Sequence, residues 1–124
     1  MSTAPTWEIF KDFTFEAAHF LPGAPEGHKC RRLHGHSFRV RVTVRGNPDR
    51  TAGWVMDFGT IKEHFEPIRR QLDHYCLNEI AGLENPTSER IAEWIWPRLK
   101  AVLPELAEIE VFETCKTGCR YRGA

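Results

Sequence analysis

The stretch His34-Gly35-His36-Ser37-Phe38-Arg39-Val40-Arg41-Val42-Thr43-Val44 constrains this chain more than any other. From Phe38 on, apolar residues alternate with Arg39, Arg41 and Thr43. That period of two fits a β-strand with one buried and one wet face. If the strand starts at His34, both histidines share the parity of Phe38 and Val40 and point inward. Gly46-Asn47-Pro48-Asp49 ends it as a turn. Upstream, Trp7, Ile9, Phe13 and Phe15 predict an earlier strand, and the same parity continues through Ala17 to His19.

The remaining elements follow from the same kind of pattern. The loop from Leu21 to Gly27 is rich in Pro and Gly, and a short strand is expected through Trp54, Val55 and Met56. Thr60 and Glu63 fit a capping box for a helix whose apolar positions are Ile61, Phe65, Ile68 and Leu72, with Pro67 expected to kink or divide it. A second helix opens at Asn85-Pro86-Thr87-Ser88-Glu89 and buries Ile91, Ile95, Leu99 and Val102, with Pro97 as a further expected kink. A strand over Ile109 to Cys115 and a short closing strand at Tyr121 complete the order strand, strand, helix, helix, strand, strand. That order predicts an α+β domain, an antiparallel sheet with helices on one face.

Length and charge narrow the classes. The 124 residues suit a single domain spanning 1–124. Seventeen basic residues balance seventeen acidic ones, so attraction of the whole molecule to nucleic acid or an anionic membrane is not expected. No apolar run reaches the eighteen or so residues of a membrane span, and Met1 to Lys11 lacks the pattern of a secretory signal. A cytoplasmic location is expected, with the four cysteines as free or functional thiols rather than staples.

Three inward histidines, His19, His34 and His36, at the ends of two strands can fill three positions of a tetrahedral zinc site. The fourth stays open, as in catalytic rather than structural zinc. The plainer reading is that these are loop or core histidines. Cys30, four residues before His34 and beside Lys29, Arg31 and Arg32, sits where a thiolate is favoured and can act as base or nucleophile; its plainer reading is an idle cysteine. Arg39, Arg41 and Arg45 are read as solvating the wet face of their strand. Asp73-His74 suits a carboxylate-oriented proton shuttle, although a regular strand turns neighbours to opposite faces. Glu113 shares parity with Ile109 and Val111. It either lies inward, where it can receive two N–H donors from a guanidine-like or pterin-like ring, or is turned outward by a bulge.

Taken together, several ordered motifs between Phe10 and Gly123 resemble the 6-pyruvoyl-tetrahydropterin synthase family. They are Phe15-Glu16-Ala17-Ala18-His19, Gly27 to Ser37, Met56-Asp57-Phe58, Leu72-Asp73-His74, Leu77-Asn78, Glu84 to Glu89, Glu113-Thr114-Cys115 and Gly118 to Gly123. Only three residues separate Cys30 from His34-Gly35-His36. Pyruvoyl-forming members carry a longer spacer, so the match is to the carboxy-forming branch; Cys30 also argues against the branch with glutamate there. The resemblance implies a tunnelling fold: a four-stranded antiparallel sheet with two helices between strands two and three. Such sheets join into an oligomeric barrel, usually a hexamer built as a dimer of trimers. It implies one zinc ion per subunit on His19, His34 and His36, with Cys30, Asp73 and His74 catalytic and Asp73 and His74 supplied by the neighbouring chain. Glu113, supported by Thr87 and Ser88, would anchor the pterin.

The implied reaction turns 7,8-dihydroneopterin triphosphate into 6-carboxy-5,6,7,8-tetrahydropterin, acetaldehyde and triphosphate, a step of queuosine biosynthesis. The alternative within the family is pyruvoyl-type triphosphate elimination. Outside it stand a zinc hydrolase acting on a triphosphate and a zinc-stabilised module binding a polyanion.

Overall fold

The alternating stretch forms the strand His34–Gly46 (β2), and Phe38, Val40, Val42 and Val44 have no exposed surface. The computed structural model describes residues 4–123, so Met1, Ser2 and Thr3 of the segment read for a leader lie outside it. β1 (Trp7–His19) pairs antiparallel with β2 along its whole length, from Trp7 opposite Gly46 to His19 opposite His34. The sheet continues through β3 (Leu106–Phe112) to β4 (Gly118–Tyr121), all neighbours antiparallel and in chain order. Helices α1 (Phe58–Leu72) and α2 (Ser88–Lys100) lie between β2 and β3 in sequence. Their buried stripes meet the inner sheet face, where Phe13 stacks on Phe65 at 4.5 Å and Phe15 on Phe38 at 4.9 Å.

Several expectations are corrected. The chain at Trp54–Met56 is not a strand. Asp49 closes a turn instead, accepting the N–H groups of Thr51 and Ala52 while its own N–H donates to the Trp54 carbonyl at 2.8 Å. Asp57, rather than Thr60, caps α1 by accepting the Gly59 N–H at 2.7 Å. Neither proline divides its helix. Pro67 and Pro97 lie on the exposed sides with Glu63 and Glu93, so the carbonyl each leaves unpaired faces water. Val102 falls beyond α2 and is 49% exposed. β3 stops at Phe112, because Thr114 Oγ1 gathers the N–H groups of Lys116 and Thr117 into a turn that leaves Cys115 exposed. Gly118 follows because a side chain there would collide with the Phe112 ring.

The outer face of the sheet is charged in bands. β1 is acidic (Glu8, Asp12), β2 basic (Arg39, Arg41, Arg45) and β3 acidic (Glu108, Glu110); Arg120 on β4 and Arg122 just beyond it are basic. Asp12 accepts from Arg39 at 3.0 Å and Arg41 at 2.8 Å, Glu110 accepts from Arg120 at 3.1 Å, and Glu108 pairs with Arg122 at 2.8 Å. The three β2 arginines therefore solvate and neutralise their face, as the alternation implied.

Removing the α1 cap isolates one of these terms. Asp57→Ala is expected to cost about 1 kcal/mol, read as a lower urea midpoint at unchanged slope.

A candidate metal centre and its surrounding clefts

The pairing of β1 with β2 brings the three histidines together. His19 faces His34 across the ladder, and His36 lies opposite Ala17, so all three rings rise on the inner face at the sheet end. Their centroids are 4.6, 5.2 and 4.9 Å apart, and one ligand nitrogen from each lies within 4.8 Å of the others. Phe38 forms the floor, 5.3 Å from the His19 ring and 5.4 Å from that of His36.

Two backbone carbonyls orient the rings. His19 Nδ1 lies 2.8 Å from the Pro86 oxygen, and His34 Nδ1 lies 2.8 Å from the Arg32 oxygen. A carbonyl only accepts, so each Nδ1 carries the proton and each Nε2 keeps its lone pair. The Nε2 of His19 is buried with no hydrogen-bond partner. Leaving such a nitrogen unpaired is costly; a cation held among the three rings takes up that lone pair. Burial, first of all, lowers the His19 pKa below its ordinary 6.5, although the Pro86 carbonyl opposes the shift. The ring is therefore neutral at pH 7, the form that ligates. Three clustered imidazoles, two of them anchored at Nδ1 by a backbone carbonyl, fit a metal ion on chemical grounds.

Cys30 shares this space. The loop after β1 is folded back by the Leu21 N–H on the Cys30 carbonyl at 2.7 Å, and His28 caps the 3-10 turn Lys29–Arg31 by accepting the Cys30 N–H at 3.1 Å. Half-buried Cys30 thus lines a cleft of about 570 Å³ with Lys29, Arg32, His34, His36 and Glu113. Arg31 instead turns to the Ala24 carbonyl.

Glu113 lies just past β3, beyond the strand in which its parity was read, and still reaches the inner site. Its Oε2 is 3.8 Å from His36 Nε2, and its Oε1 accepts from Ser88 Oγ at 3.1 Å. Ser88 opens α2 and Thr87 caps it, accepting the Arg90 N–H at 3.2 Å. Thr87, Ser88 and Glu113 line a second cleft of about 280 Å³ adjoining the first through Glu113.

Asp73 and His74 do contact each other within one chain, which the sequence reading left open. His74, just past the Asp73 cap of α1, has a positive φ of 66°, and this turn sets its Nδ1 2.9 Å from Asp73 Oδ2. Asp73 Oδ1 also accepts the Glu16 N–H at 2.9 Å. That backbone bond chiefly, with His74 and Arg69, holds the Asp73 carboxyl below its usual 3.8. His74 lines a cleft at the β1 edge with Glu16, Ala18 and Ser37 and also with Ala17 and His36, so residues of both parities border it. His74 is 78% exposed there. The Pro86 and Arg32 carbonyls were not foreseen, since a main-chain acceptor leaves no mark in residue identity.

An antiparallel α+β sheet with three inward imidazoles at one end defines a metal-site domain of the tunnelling fold. The chain belongs to the 6-pyruvoyl tetrahydropterin synthase family, whose sequence model matches residues 8–124. It is 53% identical to the 6-carboxy-5,6,7,8-tetrahydropterin synthase of Synechocystis, over 93% of this chain and 92% of that one. The enzyme of the same name from Bacillus subtilis is 30% identical over 94% and 86%. A solved Caenorhabditis elegans 6-pyruvoyl tetrahydropterin synthase superposes with a TM-score of 0.89 at 26% identity, each chain fully covered. Among the described residues no helix is long and apolar enough to cross a membrane.

Proposed function

We propose that this chain converts 7,8-dihydroneopterin triphosphate into 6-carboxy-5,6,7,8-tetrahydropterin, acetaldehyde and triphosphate, a lyase step of queuosine biosynthesis. The observation that carries the reading is a thiol, Cys30, lining the same cleft as two of three clustered imidazoles, in a chain 53% identical to a relative bearing that activity's name. Zinc is the cation proposed for His19, His34 and His36, one per subunit; bound there, it would supply Lewis acidity toward the side-chain oxygens of the substrate. Cys30 moves one of the protons next to those oxygens. His74, oriented by the Asp73 carboxylate at 2.9 Å, moves another. Glu113, steadied by Ser88 and the Thr87-capped end of α2, accepts the N–H donors of the pterin ring. Lys29 and Arg32 line the cleft with charge suited to a triphosphate.

Assembly completes this reading. β1 and β4 are the sheet edges, and the basic residues at β4 match the acidic face of β1 from a second copy, continuing the alternation of bands around a barrel. Asp73 to Cys76 already cover the far end of β1, through His74 N–H on the Glu16 carbonyl and Ala18 N–H on that of Tyr75. Closure therefore uses the Trp7–Asp12 end. A barrel of three sheets, stacked in pairs as a hexamer, brings the Asp73–His74 pair of one chain to the histidines of its neighbour. All four cysteines are free, which suits a cytoplasmic enzyme.

Mass spectrometry of the product from 7,8-dihydroneopterin triphosphate tests the reaction. Carboxypterin with acetaldehyde supports it; a pyruvoyl product assigns the sister reaction, and triphosphate loss alone assigns a hydrolase. Subunit mixing tests the shared site. Cys30→Ala and His74→Ala proteins, each inactive, are expected to regain about a quarter of wild-type activity when unfolded and reassembled together in equal amounts, the statistical share of sites with both groups intact. No recovery would return the whole site to one chain.

A further inference from the structure

Resting on the metal reading above, we infer that Asn78 is a positioning residue that preorganises His19 for the cation. Its side-chain amide grips the peptide groups of Phe20, the residue directly after His19. Oδ1 accepts the Phe20 N–H at 3.0 Å, and Nδ2 donates to the Phe20 carbonyl at 2.7 Å. β1 ends at His19, so this two-way contact extends the ladder by one residue with a side chain in place of a strand. The second N–H of Nδ2 donates to the Glu84 carbonyl at 3.3 Å. Two residues on, the Pro86 carbonyl accepts the hydrogen bond from His19 Nδ1–H at 2.8 Å. One amide thus fixes both the backbone that carries the imidazole and the loop that sets its tautomer and direction.

Asn78 is itself well anchored. It lies in the 3-10 turn Leu77–Glu79, whose Leu77 is wholly buried, and Cys76 forms a parallel bridge to Ala18 on β1. The His19 ring it serves has no exposed surface, so it cannot reorient by swinging into solvent. Removing the acceptor of a metal-ligating imidazole's other N–H typically changes metal affinity by about 10–100-fold; here that acceptor is the Pro86 carbonyl, and Asn78 holds its segment through Glu84. Asn78 approaches the centre only through Phe20 and the Glu84–Pro86 segment, hence a positioning rather than a catalytic part.

The experiment compares wild type with Asn78→Asp, which keeps the shape and Oδ1 but loses both Nδ2 donors. Zinc is titrated into each metal-free protein against a competing chelator, and each is melted with and without saturating zinc. Zinc affinity is expected to fall about 10–100-fold, and the rise in Tm on adding zinc to shrink. Equal affinity in a folded variant, or metal-free and zinc-loaded melts falling equally, would overturn the inference and leave Asn78 a purely structural residue. A wild type that takes up no zinc overturns the metal reading itself, which separates the two failures. Should the variant not fold, hydrogen exchange of the wild-type Phe20 amide decides. Protection already present without zinc supports preorganisation; protection that appears only with zinc refutes it.

Discussion

Cys30→Ala is expected to lower kcat by about 10²–10⁴-fold, the range for removing a positioned acid–base group, while the protein stays folded and keeps its metal. The two bonds that shape this loop use the backbone of Cys30, its N–H on His28 and its carbonyl under Leu21. Alanine retains both. What is lost is the sulfur facing the cleft shared with His34, His36 and Glu113. Circular dichroism and metal analysis of the purified variant should match wild type, so the defect falls on turnover alone. Cys30→Ser, with a hydroxyl far harder to ionise, is expected to stay near the alanine level rather than recover. Activity within tenfold of wild type in the alanine variant would remove the thiol from the reaction and favour triphosphate hydrolysis, which needs no sulfur.

The parts of this site that were legible in the sequence are those set by strand parity. Phe38 to Val44 fixed which face of β2 is buried, and from that followed the inward direction of His34, His36 and, on β1, His19. Helical spacing found the stripes of α1 and α2 but misplaced the start of α1, because Asp57 and Thr60 are both good caps and only the turn geometry before the helix chooses between them. Trp54–Met56 looked extended by composition, yet Asp49 folds Thr51 and Ala52 into a turn before it and takes up the Trp54 carbonyl with its own N–H. The Asp73–His74 contact depends on one residue in the left-handed region, which histidine adopts only when held. Here the His74 N–H bond to the Glu16 carbonyl, 2.6 Å, does the holding. Contacts through main-chain carbonyls, at Pro86 and Arg32, lie beyond any reading of side-chain types.

His34→Ala is the second large effect, and it separates a catalytic centre from a structural one. Binding energies of about 10–16 kcal/mol for zinc held by four ligands imply about 3 kcal/mol for one imidazole. Zinc affinity should therefore fall by about two orders of magnitude, with activity lost at ordinary metal concentrations. His34 suits the test better than His19, because it is only half-buried at the start of β2, so its removal leaves no hole among core residues. The packing that holds the fold lies further along the sheet, in Phe13 on Phe65, Phe15 on Phe38 and the stripes of both helices. The variant, and equally the wild type after chelation, should therefore remain folded with a modest loss in Tm. Acid should act on the same site with a defined sign. Protons compete with the cation for His19, whose pKa lies below its ordinary 6.5, so acid rather than neutral conditions empty the site. In metal-free protein the His19 pKa is lowered by burial; the unfolded chain then binds the proton first, and stability declines as pH falls from 6.5 toward the lower folded value. A melt that collapses on chelation at neutral pH would instead mark the metal as a structural staple and remove the open coordination position on which the proposed chemistry depends.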